Sequence, residues 1–194
     1  MKIYFHLNLE GFSNCYVIVN ELTSEAIIVD PGIITPQIIE NIENGDYKLT
    51  GVLVTHNHGS HVHGLQTLRK IYSPKIFAAD WEVAGNETSV LKDEGIIQIA
   101  GLTVGYTSVP GHTPDSMVYK IGSVLFTGDV ISAGKIGSSN NKFSEKALIK
   151  NINEICRHSF LGYNDFLTSS NNKITTLIKF TFFYIYSFRV ISIF

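Results

Sequence analysis

The chain has 194 residues, of which 44% are hydrophobic and 16% charged, and its formal net charge is −2. This length and composition predict one globular domain with a full-sized core. The near-neutral charge gives no electrostatic basis for binding nucleic acid or an anionic membrane surface. The two cysteines, Cys15 and Cys156, have neither disulfide-framework nor Cys-x-x-Cys spacing, which favours reduced thiols and a cytoplasmic location. Residues 1–9 are interrupted by polar side chains too early for a signal peptide, which agrees with that location.

The first part of the chain predicts a sheet with helices packed against it. Apolar and alternating runs predict strands at residues 2–7, 15–19, 25–29 and 52–55. The first three are joined by short turns, which indicates antiparallel pairing. Helical spacing predicts one helix from Pro36 to Ile42, with Thr35 as its N-cap, and another at residues 62–71. This order of strands and helices indicates the α/β (α+β) class.

A histidine loop, residues 55–64, separates the last of these strands from the second helix. It contains four of the chain's 7 histidines. Alternate residues of an extended chain share a side, so His56 and His58 can face one object and Ser60 can join them. Neutral imidazole is the commonest protein ligand for metals, so the pattern predicts a metal-binding loop. The alternative is a tag-like surface cluster, but tags are terminal and lack flanking core strands.

The second part of the chain continues the alternation. Strands are predicted at residues 75–79, 96–99, 102–109, 117–121 and 124–126. Residues 80–84 predict a short helix. The segment from Ser144 to Ile155 predicts an amphipathic helix with Ser144 as its N-cap.

Two further loops at strand ends carry possible metal ligands. His112 lies in a Pro-Gly-His-Thr-Pro segment after a strand, which favours a ligand over an ordinary core or surface histidine. Asp129 alone would suit a turn or a cap, but directly after strand 124–126 it is the expected carboxylate. Together with the histidine loop, they offer imidazoles and a carboxylate to zinc or iron. Such an ion can lower the pKa of a bound water to about 7.

Three motifs in this order resemble the metallo-β-lactamase superfamily. They are His56-Asn57-His58-Gly59-Ser60-His61, Gly111-His112-Thr113-Pro114 and Phe126-Thr127-Gly128-Asp129. Asp30-Pro31-Gly32 matches another landmark of that family, and the branch that is most similar is the short glyoxalase II-like (hydroxyacylglutathione hydrolase-like) one. The resemblance covers about residues 1–160 and implies a four-layer αβ/βα sandwich with the metals at one edge. It further implies these roles: His56, His58 and His112 bind the first metal, His61 binds the second, Asp129 bridges both, and Asp30 supports the histidine loop.

The chain departs from this family at two ligand positions. Ser60 stands where the family has an aspartate that binds the second metal and orients the attacking water; a neutral hydroxyl does both weakly. Ser170 falls where the family has its last histidine ligand. The second metal therefore keeps only His61 and Asp129, too few protein ligands for a closed zinc site. His63 is open as a substitute, although a residue two positions beyond His61 on a helix faces away from it.

We expect residues 1–170 to form the metallo-β-lactamase-like domain and residues 171–194 to form an atypical apolar tail. The tail has no uninterrupted uncharged run of about 20 residues, so no membrane-spanning segment is predicted. Its aromatic surface would have to be buried, paired or associated with a membrane surface. An altered C-terminus is one explanation for it.

Three functions remain open at this point. The first is a metal-dependent hydrolase of small molecules such as thioesters, with metal-bound hydroxide as nucleophile and with Asp129 and Ser60 as catalytic residues. It would hold one or two zinc ions, with iron as the alternative. The second is a mononuclear iron enzyme like the family's persulfide dioxygenases, with His58, His112 and Asp129 as ligands. The third is a weakly active or inactive scaffold or binding protein. The oligomeric state is not predicted.

Overall fold

This computed structural model describes residues 1–9, 11–132 and 135–157. The strands are β1 (Lys2–Asn8), β2 (Ser13–Asn20), β3 (Glu25–Val29), β4 (Lys48–Leu53), β5 (Lys75–Ala78), β6 (Glu82–Val83), β7 (Asn86–Glu87), β8 (Ser89–Val90), β9 (Glu94–Ile99), β10 (Leu102–Ser108), β11 (Met117–Ile121), β12 (Val124–Phe126), β13 (Ile131–Ser132) and β14 (Lys135–Ile136). The helices are α1 (Pro36–Glu43), α2 (Gly59–Val62), α3 (Leu65–Ile71) and α4 (Lys142–Arg157), with a 3-10 turn at Gly128–Val130.

Two larger sheets dominate the described residues. The first has the strand order β1-β2-β3-β4-β5-β8, and the second has the order β12-β11-β10-β9. In the first sheet β1, β2 and β3 pair antiparallel, as predicted, and β3, β4, β5 and β8 pair parallel. The second sheet is antiparallel throughout. The mixed sheets and helices confirm the predicted fold class.

Both faces of the first sheet are buried, and β2 shows how. Cys15, Val17 and Val19 pack on one side in a core that includes apolar residues of α1 and α3. Tyr16 and Ile18 alternate with them and face the second sheet, where the inter-sheet core lies. A third apolar cluster joins the outer face of the second sheet to α4. The layers are therefore helix, sheet, sheet and helix, which is the αβ/βα sandwich.

The predicted helix at residues 80–84 is wrong. The chain forms a tight hairpin there, in which Val83 of β6 pairs with Asn86 of β7. The two residues between them, Ala84 and Gly85, both have positive φ values of 48° and 73°. Two left-handed residues in succession match the right-handed twist of a hairpin and end any helix. Gly85 was the local signal for this turn.

The predicted helix at residues 62–71 is divided into two. α2 already begins at Gly59, directly after His58, and α3 begins at Leu65. At the junction, the backbone N–H of Gly64 donates to the Pro31 carbonyl oxygen at 2.8 Å. A Cβ atom at residue 64 would lie 2.5 Å from that same oxygen, so only glycine permits this approach. The contact holds the histidine loop against the segment that follows β3.

Two helix caps were predicted, and one of them is correct. The Thr35 side chain accepts a hydrogen bond from the backbone N–H of Ile38 at 3.4 Å, as expected at the start of α1. The last helix starts at Lys142, two residues before the predicted cap Ser144. Asn141 Oδ1 accepts from the backbone N–H groups of Phe143 and Ser144, at 2.9 Å each. Asn141 therefore caps α4, because its side chain reaches the free N–H groups of the first turn.

Part of the predicted domain organisation lies outside the described residues. This applies to residues 158–170, including Ser170, and to the tail at residues 171–194. Within the described part of the chain, every helix is too short or too polar to span a membrane.

Candidate metal centre

Four of the predicted ligands converge on one point. His56, His58, His112 and Asp129 each offer one ligand atom, and the four atoms lie within 4.8 Å of one another. His58 Nδ1 lies 2.9 Å from His56 Nε2 and 3.2 Å from His112 Nε2. Asp129 Oδ2 lies 3.8 Å from His56 Nε2 and 3.6 Å from His112 Nε2. Tetrahedral zinc with bonds of about 2.0–2.1 Å sets its ligand atoms roughly 3.3 Å apart, so these separations suit one ion.

Both sheets contribute to this cluster. His56 and His58 follow β4 of the first sheet, whereas His112 follows β10 and Asp129 follows β12 of the second. Two hydrogen bonds join the sheets beside the histidine loop. The Met117 backbone N–H donates to the Thr55 carbonyl at 2.8 Å, and the Tyr119 hydroxyl donates to the carbonyl of Val54 at 2.7 Å. The ligands thus meet because their strands end at the same edge of a rigid sandwich.

Asp30 holds the histidine loop in place by accepting three hydrogen bonds from it. Its Oδ1 accepts from the Thr55 backbone N–H at 2.8 Å, and its Oδ2 accepts from the Thr55 hydroxyl at 2.7 Å and from His61 Nδ1 at 3.0 Å. Asp30 is buried and has a φ of 51°, in the left-handed region that costs a non-glycine residue energy. The family resemblance implies that this aspartate supports the histidine loop, and these hydrogen bonds with Thr55 and His61 are contacts of that kind.

Hydrogen bonds outside the cluster fix the imidazole tautomers of two ligands. The Thr55 hydroxyl donates to Asp30, so its oxygen accepts from His56 Nδ1 at 3.1 Å. His112 Nδ1 donates to the Ser138 carbonyl oxygen at 2.7 Å. In both rings the Nε2 atom therefore carries the lone pair and faces the centre. This is the arrangement in which outer contacts orient metal-ligating histidines.

The acidities of the two loop histidines also suit metal binding. Burial, reinforced by the neighbouring His61, lowers the pKa of His56 to about 4. Burial and the neighbouring His112 lower the pKa of His58 as well. Both rings are therefore neutral near pH 7, and a metal ion need not displace protons from them.

His61 lies on the other side of Asp129, outside the four-atom cluster. Its Nε2 atom is 3.4 Å from Asp129 Oδ1, while Asp129 Oδ2 faces the cluster. Burial alone would lower the pKa of His61, but Asp30 and Asp129 outweigh it and raise that pKa to about 10. Burial raises the pKa of Asp129, whereas its hydrogen bond with His61 brings it down to about 2. In the metal-free protein these two side chains form an ion pair.

Ser60 and His63 are not among the four ligands of this cluster. Ser60 is held through its backbone, since its carbonyl oxygen accepts from Ser13 Oγ at 2.5 Å and from Asn8 Nδ2 at 3.3 Å. A Cβ atom at Gly32 would lie 1.7 Å from the same oxygen, so the segment after β3 packs tightly against it. His63 is exposed and lies at the end of α2. The structure thus gives no support to His63 as a substitute ligand.

Sequence reasoning missed two residues that hold the ligand loops. Asp115 Oδ2 accepts from the Asn57 backbone N–H at 2.7 Å, which ties the histidine loop to the His112 loop. The acidic residue so close after His112 was a readable signal for this contact. Ser138 orients His112 through its backbone carbonyl, for which residue type carries no signal.

The four-layer sandwich, with histidines from both sheets meeting an aspartate at one edge, defines a class of metal-binding αβ/βα proteins. Residues 9–84 match the model of the metallo-beta-lactamase superfamily. Over these residues the chain is similar to this superfamily, and several of its sequence relatives are hydroxyacylglutathione hydrolases.

Two sequence relatives and one solved structure illustrate the relationship. The chain is 34% identical over 120 residues to a hydroxyacylglutathione hydrolase of Chromohalobacter salexigens, covering 60% of this chain and 47% of that protein. It is 30% identical over 122 residues to a probable polyketide biosynthesis zinc-dependent hydrolase, BaeB, of Bacillus velezensis, covering 60% and 54%. The crystal structure of ETHE1 from Myxococcus xanthus superposes with a TM-score of 0.69 at 22% identity, covering 80% of this chain and 69% of that one. This chain therefore spans about half the length of the two hydrolases.

Proposed function

We propose that the protein is a metal-dependent hydrolase whose divalent ion, zinc, is held by His56, His58, His112 and Asp129. The observation that carries this proposal is the convergence of their ligand atoms within 4.8 Å. Lone pairs brought this close repel one another unless a cation or a proton lies between them. The donor chemistry, three imidazoles and one carboxylate, fits zinc.

The cluster leaves room for a reacting molecule. The Nε2 atoms of His56 and His112 lie closer to His58 Nδ1, at 2.9 and 3.2 Å, than to Asp129 Oδ2, at 3.8 and 3.6 Å, and the Asp129 side chain is 42% exposed. These four residues would fill a tetrahedral zinc, so a substrate or water would take a fifth position on the exposed side of Asp129; zinc in catalytic sites can expand to five ligands. A divalent ion bound there would polarise a substrate carbonyl and lower the pKa of a bound water.

Asp129 and Ser60 are the residues that we assign to orienting the attacking water. Asp129 stays ionised near neutral pH because its pKa is about 2, so it accepts hydrogen bonds and is a weak base. Its Oδ1 atom is held by His61, which fixes the carboxylate plane. Ser60 contributes only a neutral hydroxyl, so we expect slow turnover.

For the substrate we propose a small-molecule thioester. The similarity to a hydroxyacylglutathione hydrolase and to a zinc-dependent hydrolase supports this class. The buried free thiol of Cys15 agrees with a reducing, cytoplasmic location, which we also propose.

Metal analysis and a thioester panel test the proposal. The purified protein should hold zinc and hydrolyse at least one acyl thioester, and a chelator should abolish that activity. His58→Ala should lose both the ion and the activity. His63→Ala is the matched control, because it removes an exposed histidine of the same loop and should change neither. Hydrolysis that survives His58→Ala or chelation would overturn the assignment.

The substitution at Ser60 favours a second candidate, a metal-binding protein with little or no catalysis. This candidate would bind zinc at the same four residues as the proposed hydrolase and would differ from it only in the rate of turnover. Stoichiometric zinc without hydrolysis of any thioester, combined with hydrolysis in Ser60→Asp, would establish it. Measurable turnover by the unaltered chain would refute it.

A further inference from the structure

Strand β1 forms a long edge of the first sheet. Among the described residues, β2 is the one strand that pairs with it. The other edge strands of the two larger sheets are β8 and β12, of two and three residues, and β9, which begins with a glutamate. Natural proteins protect long edges with prolines, bulges or charges within the strand. β1 has a regular register and one formal charge, Lys2 at its first position, so its outer backbone groups are open to another strand.

The chain along this edge alternates between apolar side chains and side chains that carry a polar group. Ile3 and Phe5 face the core between the two sheets, where the rings of Phe5 and Tyr16 have centroids 5.7 Å apart. Alternate residues share a face. The core-side face therefore has Met1, Ile3, Phe5, Leu7 and Leu9. It is covered only in part, since Met1 is 50%, Leu7 37% and Leu9 69% exposed.

A second copy of β1 matches this pattern. In an antiparallel pair centred on Phe5, the two Phe5 side chains lie opposite each other, Ile3 lies opposite Leu7, and Met1 lies opposite Leu9. Directly opposite side chains contact one another on the same face of a sheet, so apolar residues meet apolar residues along the whole core-side face.

The other face of the same register is also compatible. Lys2 of each copy lies opposite Asn8, and Tyr4 lies opposite His6. The two lysines are at opposite ends of the pair, so the register brings no like charges together. A single register therefore satisfies both faces of the strand.

We propose that the protein forms a two-fold symmetric dimer in which the β1 strands of two copies pair antiparallel about Phe5. The 6-stranded sheets of the two copies then continue across the interface. The interface is isologous, so each contact occurs twice. Strand addition at an edge also serves to bind other proteins, but the self-matching pattern favours a second copy. The interface contains none of the four proposed metal ligands, so this inference is independent of the proposed hydrolase activity.

Sedimentation velocity of the untagged full chain over a range of concentrations tests the dimer. The unaltered chain should shift from monomer to dimer as its concentration rises. Leu7→Lys places a charge opposite Ile3 at both ends of the interface and should raise the dissociation constant about tenfold or more. Ile96→Lys is the matched control. It makes the same change in charge at a residue that is 69% exposed on another edge strand, β9, and should leave dimerisation unaltered.

A pair of opposite charges tests the register. Ile3→Glu should weaken the dimer as Leu7→Lys does, because each variant opposes a charge to an apolar side chain twice. In an equimolar mixture of the two variants, the introduced glutamate of one copy lies opposite the introduced lysine of the other. The mixture should therefore dimerise more strongly than either variant alone. A mixture that dimerises no better than the separate variants would contradict the register.

Hydrogen exchange provides a measurement that needs no substitution. Backbone amides of β1 that exchange rapidly in a dilute sample should become protected in a concentrated one. A chain that remains monomeric at every concentration would overturn the inference, as would a dimer that Leu7→Lys and Ile96→Lys affect equally. Protection of β1 that does not depend on concentration would show that the edge is covered within one chain, which would also overturn it.

Discussion

Asp30 and His61 form a buried pair in which Asp30 Oδ2 lies 3.0 Å from His61 Nδ1. The same carboxylate also accepts two hydrogen bonds from Thr55. One side chain therefore positions both ends of the histidine loop, the strand exit before His56 and the short helix that carries His61. Because it acts on several ligands at once, Asp30 should matter to both folding and metal binding.

Asp30→Asn should lower the free energy of unfolding by about 3–5 kcal/mol, because removing one partner of a buried pair leaves the other uncompensated. Zinc affinity should fall roughly 10- to 100-fold, the range for residues that orient ligands. Urea unfolding and competition with a chromophoric chelator measure the two effects. Glu40→Gln, an exposed change on α1, is the control and should alter neither. Unchanged zinc affinity in Asp30→Asn would show that the loop does not depend on this contact.

The cap of α4 gives a matched pair of variants. Asn141→Ala should destabilise the protein by about 1 kcal/mol, because two N–H groups of the first turn lose their acceptor. Ser144→Ala should have an effect close to zero, since Ser144 lies inside the helix. Thermal or urea unfolding distinguishes them. The reverse order would mean that the helix begins at Ser144, as the sequence pattern predicted.

The stability of the metal-free protein should reach its maximum near pH 6.5. The pKa of His56 falls from 6.5 to about 4 on folding, so the unfolded state binds more protons between these values and stability declines as the pH drops through that window. The pKa of His61 rises from 6.5 to about 10, so its contribution is complete below pH 6.5 and is lost as the pH rises toward 10. Asp129, with a pKa lowered from 3.8 to about 2, adds a further loss of stability between pH 3.8 and 2.

Urea unfolding of the chelator-treated protein across this pH range checks the two limbs of the stability profile, the acidic limb below about pH 6.5 and the alkaline limb above it. His61→Gln should flatten the alkaline limb and leave the acidic limb in place. His63→Ala should change neither limb. An alkaline limb that persists in His61→Gln would contradict the ion pair with Asp129.

The secondary structure was predictable where hydrophobic periodicity and turn residues indicate the same element. It was less predictable where tertiary contacts determine the backbone conformation. The antiparallel start, the strand before the histidine loop and the Thr35 cap follow from local pattern. The hairpin at Ala84-Gly85 depends on two positive φ values, and the break at Gly64 depends on its contact with Pro31, so helical spacing misled in both places.

The candidate ligands were predictable because each is a histidine or aspartate at the end of a strand. Their supports were harder to foresee. The carbonyl of Ser138, for example, carries no residue-specific signal. Sequence identifies donor atoms, whereas the contacts that orient them come from packing.

The number of tightly held metal ions tests the central claim most directly. Native mass spectrometry after buffer exchange should find one zinc ion per chain, none in His58→Ala, and a second retained ion in Ser60→Asp, which restores a carboxylate to α2. His63→Ala should retain one ion. A chain that retains no ion, or that retains its ion after His58→Ala, would contradict the assignment of the four-residue cluster as the metal site.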